Sequence, residues 1–248
     1  MSDIAAPPPP DTPPLSSPLL PSSPPPPSTA GPLHGTGRLA DEFFLTAHDD
    51  VSGKPRLADR LLGLGLAGAL LGELAMQDRI DLRAGAVSVV ERTGTASAPS
   101  EALGARMFEY LRAEEHPVRT WLAFFAQTAR DDVAARLVDA GLVARHGRKR
   151  PWQAGGWTPT SANAAVLPAA QLVTRLVRGR PLSEQQTVLA GLLRATGLDQ
   201  AVLWEARHSA PDAVRHLGEA VAALKPPLAE LIGQTQAAVG AAVASHRT

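Results

Sequence analysis

The sequence predicts a mainly α protein: a compact helical bundle core with one or two small β-hairpins, behind a disordered proline-rich N-terminal tail. Three observations carry that expectation. The run Leu61 to Met76, LLGLGLAGALLGELAM, is apolar on nearly every face. From Ser100 onward, apolar residues recur mostly at helical spacing. Thirteen of the 23 prolines crowd between Pro7 and Pro32.

At 1.5 Å per residue the Leu-rich run reaches roughly 24 Å, short of the roughly 30 Å of bilayer hydrocarbon. Asp59-Arg60 precede it, Asp78-Arg79 follow it, and Glu73 lies inside it. A helix apolar all round yet too short to span reads as the buried core helix of a bundle. Gly63, Gly65, Gly68 and Gly72 would let neighbouring helices approach closely, although each weakens the isolated helix. The Gly68/Gly72 spacing also occurs in membrane helices; Glu73 and the short length favour the bundle.

Residues 1–36 read as the tail and 37–248 as the folded domain. The tail holds Pro7-Pro8-Pro9-Pro10 and Pro24-Pro25-Pro26-Pro27 with Ser and Thr between them. Such composition has little apolar surface to bury and favours extended polyproline II. It lacks the basic start and unbroken apolar stretch of a signal peptide.

Along the domain, Glu42 to Ala47 reads as a short strand, followed by turn residues Asp49 to Gly53. After the Leu-rich helix, Ile80–Arg83 and Val87–Val90 flank Ala84-Gly85-Ala86, a hairpin pattern. Thr93 to Pro99 is a polar loop. Ser100 suits the cap of a helix bearing Leu103, Met107, Phe108 and Leu111. Pro117 suits the first turn of the next helix, whose apolar spacing runs through Trp121, Phe125, Val133 and Leu137 until Gly141. Arg145 to Thr160 interrupts the pattern with Gly, Pro and two tryptophans. Helices resume over Val166–Val177, then from the capping box Ser183-Glu184-Gln185-Gln186 to about Ala195. Further helices are expected around Leu203, from Pro211 to Leu224, and from Pro226 onward.

Composition excludes several classes of chemistry. Formal net charge is zero, so bulk electrostatics does not draw the whole chain onto nucleic acid or membrane. There is no cysteine, hence no disulfide and no thiolate nucleophile or metal ligand; this fits a reducing cytoplasm. No G-x-S-x-G, H-E-x-x-H, phosphate-cradling glycine loop or dinucleotide fingerprint occurs. The seven histidines have no metal-ligand spacing. His48-Asp49-Asp50 beside Gly53 is an ordinary turn pattern, and the adjacent Asp131 and Asp132 face different directions on a helix. The expectation is a protein that is not an enzyme and takes no cofactor or metal.

One cluster stands out. Arg145, Arg148, Lys149 and Arg150 are followed by Trp152 and Trp157. A basic hairpin tip with two indoles suits an anionic membrane surface, where each cation gains roughly 1 kcal/mol and tryptophan prefers headgroup depth. The competing reading is a solvated basic loop whose tryptophans pack back on the core. A third reading takes Arg136 to Val143 plus the basic hairpin as the recognition helix and wing of a winged-helix DNA-binding regulator. Asp131-Asp132 and the zero net charge argue against it.

Gly65-Leu66-Ala67-Gly68, Glu73-Leu74-Ala75 and Asp78-Arg79-Ile80-Asp81-Leu82 together resemble the Golgi phosphoprotein 3 family, particularly its bacterial relatives. Arg136 to Val143, Thr187 to Leu198 and Phe43-Phe44-Leu45 extend the resemblance across about residues 38 to 225. It implies a helical domain with a four-helix core and a protruding hairpin. It also implies a non-enzymatic, cytoplasmic, peripherally membrane-associated protein that binds phosphatidylinositol 4-phosphate and serves as an adaptor for a client membrane protein. The family's phosphate site uses a tryptophan, a helix arginine and a pair of arginines three apart. These positions fall on Ala58, Ala67, Gln127 and Arg130, so only Arg130 matches. Arg56 and Arg60 sit near enough in sequence to compensate. General affinity for anionic phospholipid is therefore expected more than phosphoinositide specificity.

Overall fold

The structure, a computed structural model, describes residues 36–90, 101–146 and 156–245. All of them fall in one compact unit. At its centre lies α2 (Asp59–Met76), the Leu-rich helix, with twelve of its residues buried. Around α2 pack α1 (Leu39–Ala47), α4 (Val118–Phe125), α5 (Ala129–Asp139), α7 (Glu184–Thr196) and α11 (Pro226–Ser245). The remaining helices are α3 (Ala102–Ala113), α6 (Ala162–Val177), α8 (Asp199–Val202), α9 (Trp204–Ser209) and α10 (Asp212–Ala222). Two antiparallel hairpins complete the described residues: β1 (Ile80–Arg83) with β2 (Ala86–Val89), and β3 (Val143–His146) with β4 (Gly156–Pro159).

The glycines of α2 do what their spacing implied. A methyl on Gly63 would collide with the main-chain carbonyl of Ala126, and one on Gly65 with the ring of Phe43. At Gly68 it would come within 2.9 Å of Thr235, and at Gly72 within 2.8 Å of Leu39. Gly63 faces the α4–α5 joint while Gly65, Gly68 and Gly72 face α1, α7 and α11, so missing side chains set how closely these elements approach α2. The β1–β2 register pairs Arg83 with Ala86, leaving Ala84-Gly85 as a two-residue turn. Both turn residues have positive φ, 51° and 78°, as right-twisted hairpins require.

Two expectations fail here. The segment Glu42–Ala47 is not a strand but the body of α1. All nine residues of α1 are buried, so the side-chain alternation that marks a half-buried strand never applied. The single helix expected from Pro117 to Gly141 is two helices, broken at residues 126–128. There the chain leaves the helix with the Ala126 carbonyl against Gly63, and Val118–Phe125 and Ala129–Asp139 are separate helices. Other details agree: Ser183 and Gln186 form the reciprocal capping box, and Gly197 closes α7 in the left-handed region. The cap of α3 is Glu101, which accepts from the N–H groups of Leu103 and Gly104; Ser100 and the 93–99 loop lie outside the described residues.

What overrides local propensity at α1 is charge. Arg136 of α5 donates to Asp41 of α1 at 2.7 Å and to Glu73 of α2 at 3.1 and 3.2 Å. It also lies 3.5 Å from Glu101 at the head of α3. Glu73 in turn accepts the Ala40 N–H at 2.8 Å, satisfying a first-turn donor of α1 that no local side chain caps. Desolvation pushes Asp41 up to about 6, against the lowering by Arg136. Arg136 itself is held further into its charged form by the two carboxylates, against its own burial.

Removing the cation strands these acids. Arg136→Met should cost about 3–5 kcal/mol, the range for breaking a buried pair from one side. Urea unfolding of the two proteins measures it; a loss under about 1 kcal/mol, the value of a surface pair, would show the clamp to be energetically idle.

Candidate functional site

The N-terminus of α2, the α4–α5 joint and the C-terminal half of α11 enclose a cleft of about 620 Å³. Arg60, Arg119 and Arg130 line it, with Gln127 and the apolar Leu64 and Ala126. Two carboxylates, Asp59 and Asp131, share its rim. Because α2 begins here, its unsatisfied first-turn N–H groups and positive dipole end add to the cationic side.

Each arginine is placed by a different element. Arg130, in the first turn of α5, is half-buried; its guanidinium lies 5.1 Å over the Trp157 ring and donates to Asp59 at 2.7 Å. Arg119, in the first turn of α4, donates to Gln234 of α11 at 2.8 Å. Arg60 reaches Ser245 at the end of α11, 3.2 Å away. Arg119 and Arg60 are exposed, and neither has a carboxylate partner within salt-bridge range among the described residues. In this state the Asp59 carboxylate occupies the best donor in the cleft, as a phosphate oxygen would.

The positions singled out from the sequence divide accordingly. Arg60, Gln127 and Arg130 line the cleft, and Ala58 is the residue immediately before α2. Ala67 is fully buried, so nothing from that position reaches the cleft. Arg56 does not line it: its side chain bonds the His48 carbonyl and lies 3.6–3.7 Å from Asp49 and Asp50. Arg145 is exposed on β3, opposite Trp157 in register. Trp157 is half-buried and meets Phe44 edge-on at 6.3 Å, so this indole packs back on the core. Arg148, Lys149, Arg150 and Trp152 lie outside the described residues. Arg119 escaped sequence reading altogether, since only the fold brings the head of α4 beside Arg130.

The winged-helix reading required an exposed basic face on the helix ending near Val138. The exposed positions of α5 are Asp131, Ala135, Val138 and Asp139, while Arg136 is spent on the buried clamp. That helix presents acid, not base, to solvent, which removes the cationic contact phosphates need. No cluster among the described residues holds three potential metal ligands, and no helix among them is long and apolar enough to cross a membrane.

Behind the cleft sits His48. It is buried, stacks on Phe44 at 4.0 Å, and bonds the Phe44 carbonyl through Nδ1 at 2.7 Å. Its Nε2 is buried without a hydrogen-bond partner. Asp49 meanwhile accepts from the N–H and hydroxyl of Ser52, and Gly53 adopts φ 65°, so the segment is the turn expected.

The family model described as Golgi phosphoprotein 3 (GPP34) matches residues 39–243. No curated protein matches the chain.

Burial, reinforced by the charges of Arg130 and Arg56, pushes His48 down to about 4 despite the bond to Phe44. The unfolded imidazole takes its proton near 6.5, before the folded one does. Stability from neutral His48 is therefore complete above that pH and is lost as pH falls toward 4. Asp41 works the other way, because the folded carboxyl takes up its proton near 6 and the unfolded one near 3.8. Replacing only the imidazole isolates the first effect. Relative to wild type, His48→Phe should retain on the order of 3 kcal/mol more stability between pH 6.5 and 4. Parallel urea-midpoint curves across that range would refute a neutral buried His48.

Proposed function

The chain belongs to the Golgi phosphoprotein 3 family, and on that premise we propose that its α2–α4–α5–α11 cleft takes the phosphate-bearing headgroup of an anionic lipid. The protein then acts as a peripheral membrane protein, by binding rather than by catalysis. The observation that supports this is the convergence of Arg60, Arg119 and Arg130 at the head of α2. Guanidiniums suit phosphate because their paired N–H groups match its oxygens.

The cleft differs from the family's phosphate site in where its cations come from. Ala58, Ala67 and Gln127 carry no charge, and only Arg130 stands at a family position. Arg60 and Arg119 supply the missing cations from the first turns of α2 and α4. Three separate helices thus contribute one guanidinium each. A ligand must displace Asp59 from Arg130, which lowers affinity without changing the preferred charge of the ligand. The reading is therefore general affinity for anionic phospholipid, with phosphatidylinositol 4-phosphate one such ligand. The sequence between β3 and β4 carries Arg148, Lys149, Arg150 and Trp152, and three cations with an indole are a composition that suits an anionic membrane surface. Family membership supports, as part of the same proposal, an adaptor role for a client membrane protein.

Co-sedimentation with vesicles tests it: neutral phosphatidylcholine against the same lipid with phosphatidylserine, or with phosphatidylinositol 4-phosphate, at low and physiological salt. Pelleting with either anionic mixture, weakened by salt, is expected. Arg119→Ser and Arg130→Ser should each weaken it about tenfold, the equivalent of one charge-assisted contact of about 1.5 kcal/mol. Asp59→Asn should strengthen it by freeing Arg130. Equal pelleting with neutral vesicles, or none with anionic ones, would sink the proposal.

A further inference from the structure

Next to the cleft the surface changes character. Tyr110 of α3, the only tyrosine in the chain, and Phe124 of α4 are 47% and 45% exposed. Their rings meet edge to face, with centroids 5.4 Å apart. They rest on Phe125, 6.3 and 5.3 Å away, and Phe125 stacks on Trp121 at 5.4 Å. The exposed pair is thus held up on a rigid aromatic base. It borders a groove of about 230 Å³ that also includes Gln127. Gln127 lines the cationic cleft as well, so the groove and the cleft adjoin at that residue. On α4 itself, Arg119, Thr120, Ala123 and Phe124 are the exposed positions, with Arg119 and Phe124 at the two edges of that face, five residues apart.

We propose that Tyr110 and Phe124 form an aromatic wedge that enters the headgroup region of an anionic bilayer while the adjoining cleft holds a lipid phosphate. The inference rests on the cleft reading above. Tyrosine, like tryptophan, favours that depth because the ring is apolar and its polar group stays wet, and the phenylalanine beside it adds apolar area. The cations of Arg119 and Arg130 in the adjoining cleft match the negative charge of such a surface and would draw the wedge toward it. A folded protein partner is a poorer occupant, because a stable interface covers about 800 Å² per side, far more than two half-exposed rings provide. Of the other exposed large apolar side chains among the described residues, Trp204 is the remaining aromatic one. It sits on α9, which packs on α8 and α10.

The absence of cysteine makes a direct test practicable. Full-length Tyr110→Cys and Trp204→Cys proteins, each labelled with an environment-sensitive fluorophore, are titrated with phosphatidylcholine vesicles containing phosphatidylserine. The label at 110 should shift to shorter wavelength and become quenched by brominated acyl chains, while the label at 204 should do neither. Phe124→Gln should weaken vesicle binding about tenfold, roughly the burial of half a ring. Phe124→Trp, which keeps the aromatic base, should bind at least as well as wild type and guards against a folding defect in Phe124→Gln.

Vesicle binding by wild type with no change at position 110 and full binding by Phe124→Gln would overturn the wedge alone, leaving the cleft in place. No vesicle binding by wild type would overturn both. A shift at position 110 that grows with protein concentration and needs no lipid would mean that a second copy covers this face, and would also overturn the proposal.

Discussion

The Arg136 clamp is the interaction on which the arrangement depends. One guanidinium joins α1 through Asp41, α2 through Glu73 and the head of α3 through Glu101. Buried ion pairs contribute little net stability compared with apolar replacements, but they penalise wrong pairings heavily. That is their use here. Helix α2 is apolar nearly all round, so hydrophobic burial alone gives it no preferred rotation. Glu73 supplies one, because it must face both Arg136 and the Ala40 N–H. Once that angle is fixed, Gly63 faces the α4–α5 joint and Gly68 faces α11.

The cleft follows from that rotation. With Gly63 against the Ala126 carbonyl, α5 begins close to the first turn of α2, and Arg130 comes within 2.7 Å of Asp59. The closeness of α11 to α2 brings Gln234 and Ser245 into reach of Arg119 and Arg60. Three guanidiniums would repel one another without partners. Each has one: a carboxylate, an amide oxygen or a hydroxyl. Two of those partners are neutral, so the cleft keeps cationic character, while the third is an acid that any ligand must replace. The buried network and the exposed one therefore divide the labour: the first sets helix rotation, the second leaves charge on offer.

The sequence made the fold legible where periodicity and punctuation agree. The Leu-rich helix, both hairpins, the capping box at Ser183 and the terminal helix were readable because local pattern and tertiary role coincide there. Glu42–Ala47 misled because a fully buried helix of nine residues shows no periodicity to separate it from a strand, and its decisive contact, Asp41 with Arg136, spans 95 positions. The break at residues 126–128 was hidden for a related reason. Apolar spacing continues through it, and what bends the chain is the close approach of Gly63 from far upstream. The site was half legible. Arg60, Gln127 and Arg130 emerged from residue chemistry and family resemblance together, whereas Arg119 needed the fold, since nothing in its neighbourhood sets it apart from other surface arginines. Arg56 looked equivalent to Arg60 four residues away, yet the Asp49-Asp50 turn captures it.

A near-neutral chain with a modestly cationic cleft raises a question of affinity. Three guanidiniums set against two carboxylates attract an anion only weakly in water, and exposed pairs contribute about 1 kcal/mol or less each. Single weak signals give marginal, reversible membrane attachment; stable attachment takes two or more. On the proposed reading those signals are a phosphate in the cleft and aromatic rings at headgroup depth beside it, to which the sequence adds the basic residues Arg148, Lys149 and Arg150. Tethering makes the later contacts intramolecular once the first has formed, so their effects multiply without any one being strong. Such a design binds membranes according to surface charge and packing more than to one headgroup. On the same reading it accounts physically for how a chain with Ala58, Ala67 and Gln127 at three of the four positions that the family resemblance assigns to its phosphate site would still be held at a bilayer.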